Sequence, residues 1–340
     1  MKKSSSSSRA RSDDLNGPEG GFKPAWWCRG PHSQTLWAPL FRRGPRIRVK
    51  RERLELPDGD FIDLDWSVGD GAPVIIILHG LEGSSRSPYV RGMFAALQQQ
   101  GMRPMVMHFR GCSGEPNRLA RGYHSGDTND LAFVVRTLRE REPHTPLAAV
   151  GYSLGGNVLL KWLGESGNSA GLYAAAAVSV PFVLQNSSKR LDRGFSRLYR
   201  RCLLSCLRRS LQRKFRGTTP PFRADAAAAA RTFHEFDNAV TAPLHGFQNA
   251  EHYYAASSSR PYLRRITVPT LIVHAADDPF LSRELIPSTD DVSPQVSLEI
   301  PAHGGHVGFI GGSWPGQPRF WLEERIPVFL MHQLTFRRSA

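Results

Sequence analysis

Short apolar runs alternate with amphipathic stretches through most of this chain. Residues 74–79, 104–109, 147–152 and 173–180 are nearly unbroken apolar segments, and the first three lead into helical periodicity over 88–100, 126–141 and 154–165. A strand without polar alternation is buried on both faces, which predicts a mainly parallel sheet with helices on both sides. Residues 46–56 alternate basic and apolar side chains, as an edge strand does. Pro57-Asp58-Gly59-Asp60 then turns the chain into a partner strand, Phe61–Trp66. Two later apolar runs, from Val268 and from Val296 to Ile300, complete the set of strands.

Between about Gln185 and Tyr262 the alternation stops. Leu191, Phe195, Leu198, Cys202 and Cys206 recur at spacings of three and four, which predicts a helix with one apolar face turned inward. The alanine run Ala226–Ala230, then Phe233–Val240 and His252–Tyr254, continue the helical pattern. The expected organisation is an α/β core of residues 21–184 and 263–340 with a helical cap over 185–262. Residues 1–20, rich in Ser, Arg and Asp, read as a disordered tail. The aromatic, Pro-broken lead-in (Phe22–Cys28 and Leu36–Phe41) is expected to pack over the core or to form part of an acyl-binding wall.

The 340 residues carry 44 Lys and Arg against 30 Asp and Glu, a formal charge of +14. The excess sits in the tail, the edge strand and the cap. No helix-turn-helix, zinc-ligand or aromatic RNA-binding pattern accompanies it, so no nucleic-acid partner is expected. The charge does predict weak, salt-sensitive association with anionic membrane surfaces, the alternative being a solvated cap face. No stretch approaches the ~20 apolar residues that cross a bilayer. The basic N-terminus lacks the apolar core of a secretory signal, which points to the cytoplasm. Cys28, Cys112, Cys202 and Cys206 are expected as free thiols, the last two through core packing. Oligomeric state is left open.

The chemistry concentrates at Gly151-Tyr152-Ser153-Leu154-Gly155, where an apolar strand meets a helix-compatible run. Small residues on either side of the serine suit a sharp elbow that lifts the Ser153 hydroxyl out of the sheet edge. A Gly-rich turn with a helix-capping serine is the bland alternative. A serine nucleophile needs a base, and the base an acid to orient it. The strand from Val268 ends in Asp277-Asp278-Pro279, and Ile300 is followed by Pro-Ala-His303-Gly304-Gly305-His306. Asp278 is favoured over Asp277, a turn cap, because it lies three residues beyond the small Ala275. His306 is favoured over His303 because paired glycines allow its loop a close approach. These residues lack the spacing of a recognised metal site. The backbone amides of Leu81 and Leu154 are the expected oxyanion donors. His79 has a structural role within its loop.

HGLEGSSRSPY (79–89), HFRGCSGEPNR (108–118), YHSGDTNDL (123–131), GYSLGGN (151–157), HAADDPF (274–280) and HGGHVGFIGG (303–312) together resemble the YheT-like branch of the α/β-hydrolase superfamily. The resemblance runs from about residue 22 to residue 335. It implies hydrolysis of carboxylic esters, short-chain or lipid-type, by a Ser153–Asp278–His306 triad acting through an acyl-enzyme. A small-molecule ester is the implied substrate, and no metal or organic cofactor is implied. A thioesterase or acyltransferase would use the same triad, and a non-catalytic membrane-surface protein is the alternative outside enzymes.

Overall fold

The computed structural model describes residues 21–69 and 73–336, so the expected tail lies outside the described residues. The main sheet comprises β1 (Val49–Glu55), β2 (Phe61–Ser67), β3 (Val74–Leu78), β4 (Arg103–Met107), β5 (Leu147–Tyr152), β6 (Ala174–Val178), β7 (Thr270–Val273) and β8 (Val296–Glu299). Their order across the sheet is β1-β2-β4-β3-β5-β6-β7-β8. From β4 onward every pair is parallel, while β2 runs antiparallel to both β1 and β4. The strands fall where the apolar runs placed them, to within a few residues at each end.

The helices are α1 (Pro31–Phe41), α2 (Pro88–Gln99), α3 (Asn129–Arg141), α4 (Leu154–Ser166), α5 (Leu184–Leu191), α6 (Ser196–Lys214), α7 (Ala224–Ala229), α8 (Phe233–Phe236), α9 (Ala242–Leu244), α10 (Ala250–Ser257) and α11 (Leu322–Phe336). Because side chains alternate across a strand, β3 feeds two cores. Val74, Ile76 and Leu78 join the core that holds α3 and α4, and Ile75 and Ile77 join the one that holds α2 and α11. Both faces of the central sheet are therefore dry. The packing of α11 follows from Leu322, Ile326, Phe329, Leu330 and Leu334, which share one helical face.

Helices α5 to α10 occupy the connection between β6 and β7. The expected continuous apolar face from Leu191 to Cys206 does not form. The chain breaks at Asp192–Phe195, where Gly194 adopts φ +54°, so Leu191 and the residues beyond it lie on different helices. The inward side of α6 carries Ser196, Tyr199 and Leu204, with Leu207 and Leu211 half-buried. Phe195 and Leu198 are 49% and 45% exposed, and Cys202 is exposed rather than in the core.

The aromatic lead-in also settles differently from the acyl-wall alternative. Part of it folds into α1, which braces the segment carrying the Gly-rich histidine loop. Gln34 is fully buried there: its Oε1 accepts from the Ile310 amide, and its Nε2 donates to the carbonyls of Cys28 and Ile310. The contact is close enough to require glycine opposite it. A Cβ on Gly305, where φ is +59°, would sit 2.5 Å from the Pro31 carbonyl oxygen, and one on Gly308 would sit 2.3 Å from that of Gln34. Replacing Gln34 with Ala leaves the Cys28 carbonyl and the Ile310 amide without a partner, each costing about 1–3 kcal/mol, while the Ile310 carbonyl keeps the Ala25 amide. We expect Gln34→Ala to lower thermal stability and to speed amide exchange over residues 304–310. Unchanged exchange there would show that α1 does not hold the loop.

Candidate active site

Strand β5 ends at Tyr152 and α4 begins at Leu154, so Ser153 alone carries the reversal, at φ 49° and ψ −116°. Its amide donates to the Val178 carbonyl at 2.8 Å, and its carbonyl accepts from Asn157 at 3.0 Å. The flanking glycines are sterically obligatory. A Cβ at Gly151 would lie 2.6 Å from the Gly155 carbonyl oxygen, and one at Gly155 would lie 2.5 Å from that of His79. Among the described residues, the non-glycine positions with positive φ are Glu82, Ser153, Ser179, Val307 and Phe309. All five belong to the strand-end segments that border this serine. Strain of this kind persists only where surrounding structure enforces it.

Two other strand ends deliver the partners. After β7 the chain turns so that the Asp278 amide donates to the Ala275 carbonyl, and the Asp278 carboxylate accepts from the Phe280 amide at 2.8 Å. The loop after β8 brings in His306. Its Nδ1 lies 2.9 Å and 3.2 Å from the two oxygens of Asp278, and its Nε2 lies 3.0 Å from Ser153 Oγ. A carboxylate only accepts, so Nδ1 carries the proton and Nε2 is free to accept from the serine hydroxyl. The imidazole stacks on Phe280 with ring centroids 3.9 Å apart and an 11° tilt. Thr35 Oγ1 accepts the His306 amide at 2.9 Å, and Ser179 Oγ accepts that of Val307 at 3.0 Å.

Ser153, Asp278 and His306 are thus in one hydrogen-bonded line, while Asp277 and His303 stand outside it. Asp277 does not cap its own turn. It accepts the Gly305 amide at 2.9 Å and lies 3.3 Å from His303 Nδ1, so this second acid–histidine pair braces the loop that carries His306. Sequence reasoning missed Phe280, Thr35 and Ser179. Only Phe280, directly after the Asp-Asp-Pro run, had a visible signal.

The loop after β3 turns at Gly80–Gly83. The Gly80 amide donates to the Tyr89 hydroxyl, that of Glu82 to the Tyr123 hydroxyl, and that of Gly83 to the Gly80 carbonyl. Leu81 is left as the loop amide without a protein acceptor among the described residues, and Leu154 opens α4 beside Ser153. His79 holds the turn: Nδ1 donates to the Gly80 carbonyl at 2.7 Å, and Nε2 accepts from the Phe109 amide. Burial lowers the His79 pKa to about 3, so it stays neutral. Cys112 is half-buried, and desolvation pushes its thiol strongly upward, which removes it as a nucleophile.

A cavity of about 150 Å³ opens beside Ser153 under the α5–α10 layer. Leu81, Leu154, Leu191, Leu207, Phe236 and Tyr253 are among its walls. No residue of the 22–41 lead-in lines it, which completes the correction of the acyl-wall alternative.

A family model described as the alpha/beta hydrolase fold matches residues 73–313. YheT of Escherichia coli (strain K12), named as a candidate esterase, is 47% identical over 305 residues, which cover 88% of this chain and 89% of that one. Phospholipase ABHD3 of Homo sapiens is 31% identical, over 88% of this chain and 76% of its own. Among solved structures, the Pyrococcus furiosus esterase Pf2001 superposes with a TM-score of 0.56 at 16% identity, over 86% of this chain and 97% of that one, a likeness of fold alone. The chain belongs to the α/β-hydrolase family, in its YheT-like branch.

Proposed function

We propose that this protein hydrolyses carboxylic esters through a covalent acyl-enzyme on Ser153. The unbroken line from Ser153 Oγ through His306 to the Asp278 carboxylate carries this reading. His306 Nε2 takes the hydroxyl proton as Ser153 Oγ attacks the ester carbonyl. The Leu81 and Leu154 amides hold the oxyanion, and His306 then protonates the departing alcohol. Water, deprotonated by the same nitrogen, clears the acyl group. Asp278 keeps the proton on Nδ1 and balances the imidazolium that forms. The α5–α10 layer acts as the cap that shields the acyl-enzyme. The names of the relatives support a lipid-type ester: ABHD3 is named a phospholipase, and a Saccharomyces cerevisiae protein, 32% identical over 73% of this chain, a monoacylglycerol lipase. A thioesterase or acyltransferase would share every residue of the relay, and product analysis with a competing alcohol separates these.

Ser153→Ala is expected to abolish hydrolysis of p-nitrophenyl butyrate with the circular dichroism spectrum unchanged. Asp278→Asn, which favours the wrong imidazole tautomer, is expected to lower kcat by roughly 10⁴-fold. Wild-type turnover in either variant would remove that residue from the mechanism.

Surface association is a second reading, supported by the outward face of α6. Exposed Phe195 and Leu198 stand at its N-terminal end with exposed Arg197 and Arg201, and exposed Arg209 and Arg213 follow further along the helix, an arrangement suited to anionic lipid. Vesicles with 30% (on the order of plasma-membrane content) anionic lipid should co-sediment the protein at low salt and release it as ionic strength rises. Phe195→Ser/Leu198→Ser should weaken that binding. Equal sedimentation with neutral vesicles would contradict this reading.

A further inference from the structure

Among the described residues, the buried aspartates share a rule with one exception. Asp60, Asp63, Asp65, Asp127, Asp130 and Asp278 each lie against an arginine or a histidine. Asp237 is also buried, yet no cationic side chain pairs with it among the described residues. Among the described residues its carboxylate receives only two neutral hydroxyls, Thr241 at 2.6 Å and Tyr254 at 2.7 Å. The nearest histidine acting on it, His234, is half exposed and paired with Glu251. In a chain of charge +14, an uncompensated buried carboxylate is an anomaly, because desolvating such a charge is costly unless it is paired.

The location of Asp237 gives the exception meaning. It lines the same cavity as Ser153, on the π-helical turn Asp237–Thr241, a departure from α geometry frequent at functional sites. Phe233, Phe236, Tyr253 and Tyr254 line that cavity as well. A second polar signal stands beside the acid. Tyr254 Oη lies 3.4 Å from Ser188 Oγ, and the buried hydroxyl of the adjacent Ser187, also in the cavity wall, has no hydrogen-bond partner among the described residues. An alkyl chain filling this end would leave Ser187 unsatisfied and the carboxylate unbalanced.

We propose that Asp237 is a specificity-determining residue that holds an ammonium group of the substrate, so that the preferred esters carry a positive charge on the part bound beneath the helical layer. The carboxylate keeps unused acceptor positions after receiving Thr241 and Tyr254. The aromatic faces around the cavity attract an ammonium through their quadrupoles. A neutral hydroxyl would satisfy Ser187 but would leave the charge of Asp237 unanswered. Burial raises the Asp237 carboxyl to about 6, opposed in part by Thr241 and Tyr254, and a bound ammonium would favour its ionised form.

The inference rests on the esterase reading, and the test separates the two. Two isosteric pairs place the charge on either side of the ester: butyrylcholine with 3,3-dimethylbutyl butyrate, and p-nitrophenyl 6-aminohexanoate with p-nitrophenyl heptanoate. In at least one pair the charged member is expected to exceed the neutral one in kcat/KM by roughly tenfold, mainly through KM. Asp237→Asn should bring that ratio close to one. The wild-type ratio decides even if that variant fails to fold. Turnover of both neutral esters without a charge preference, or a preference that survives Asp237→Asn, overturns this inference and leaves the esterase reading standing. Failure to turn over any of the four sinks both.

Discussion

The reversal of the backbone at Ser153 is the constraint on which the site depends. A residue with a Cβ is held at φ 49° because β5 must end and α4 must begin within a single residue. That geometry excludes a side chain at Gly151 and Gly155, where a Cβ would meet backbone at about 2.5 Å. The strain is not confined to the serine. Glu82, Ser179, Val307 and Phe309, all at positive φ, lie on the other segments that border it. A well-packed sheet with dry faces supplies the rigidity that keeps these conformations populated.

Electrostatics serve the same end. The basic excess is not all surface charge, because several arginines answer acids at the β1–β2 edge. Arg110 joins Asp58, Asp60 and Asp130, and Arg51 pairs with Asp65. Burial works to raise the Asp65 pKa, but hydrogen bonds from His108, Arg51 and Ser85 overcome it and hold the carboxyl well below its ordinary value. Ser85 lies in the loop after β3, so Asp65 ties the segment that carries the Leu81 amide to the sheet. Asp237 lies on the opposite side of this pattern, buried in the cavity wall without such an answer.

Much of the fold and of the site was legible in the sequence because each depends on local patterning. Apolar runs marked β3 to β8, and the glycines around Ser153 marked the elbow. The spacing of Asp278 from Ala275 and the glycines before His306 singled out the residues that meet at Ser153. Other features depend on tertiary contacts with no local signature. The pairing of Asp277 with His303, the stacking of Phe280 on His306 and the use of Thr35 as an amide acceptor arise from segments far apart in the chain. The α6 face was misread because Gly194 breaks the helix between Leu191 and Phe195, which shifts the phase of everything after it. Asp237 had no signal of its own, since a lone acid in a helical segment reads as solvated surface.

The proposed chemistry stands or falls on which side chain becomes covalently modified. Diethyl p-nitrophenyl phosphate reacts at an activated serine and leaves a stable phosphoryl ester whose position peptide mass spectrometry locates. The account predicts a single stoichiometric adduct on Ser153, formed as esterase activity disappears. An inactivated enzyme with Ser153 unmodified and the adduct on another residue would contradict it.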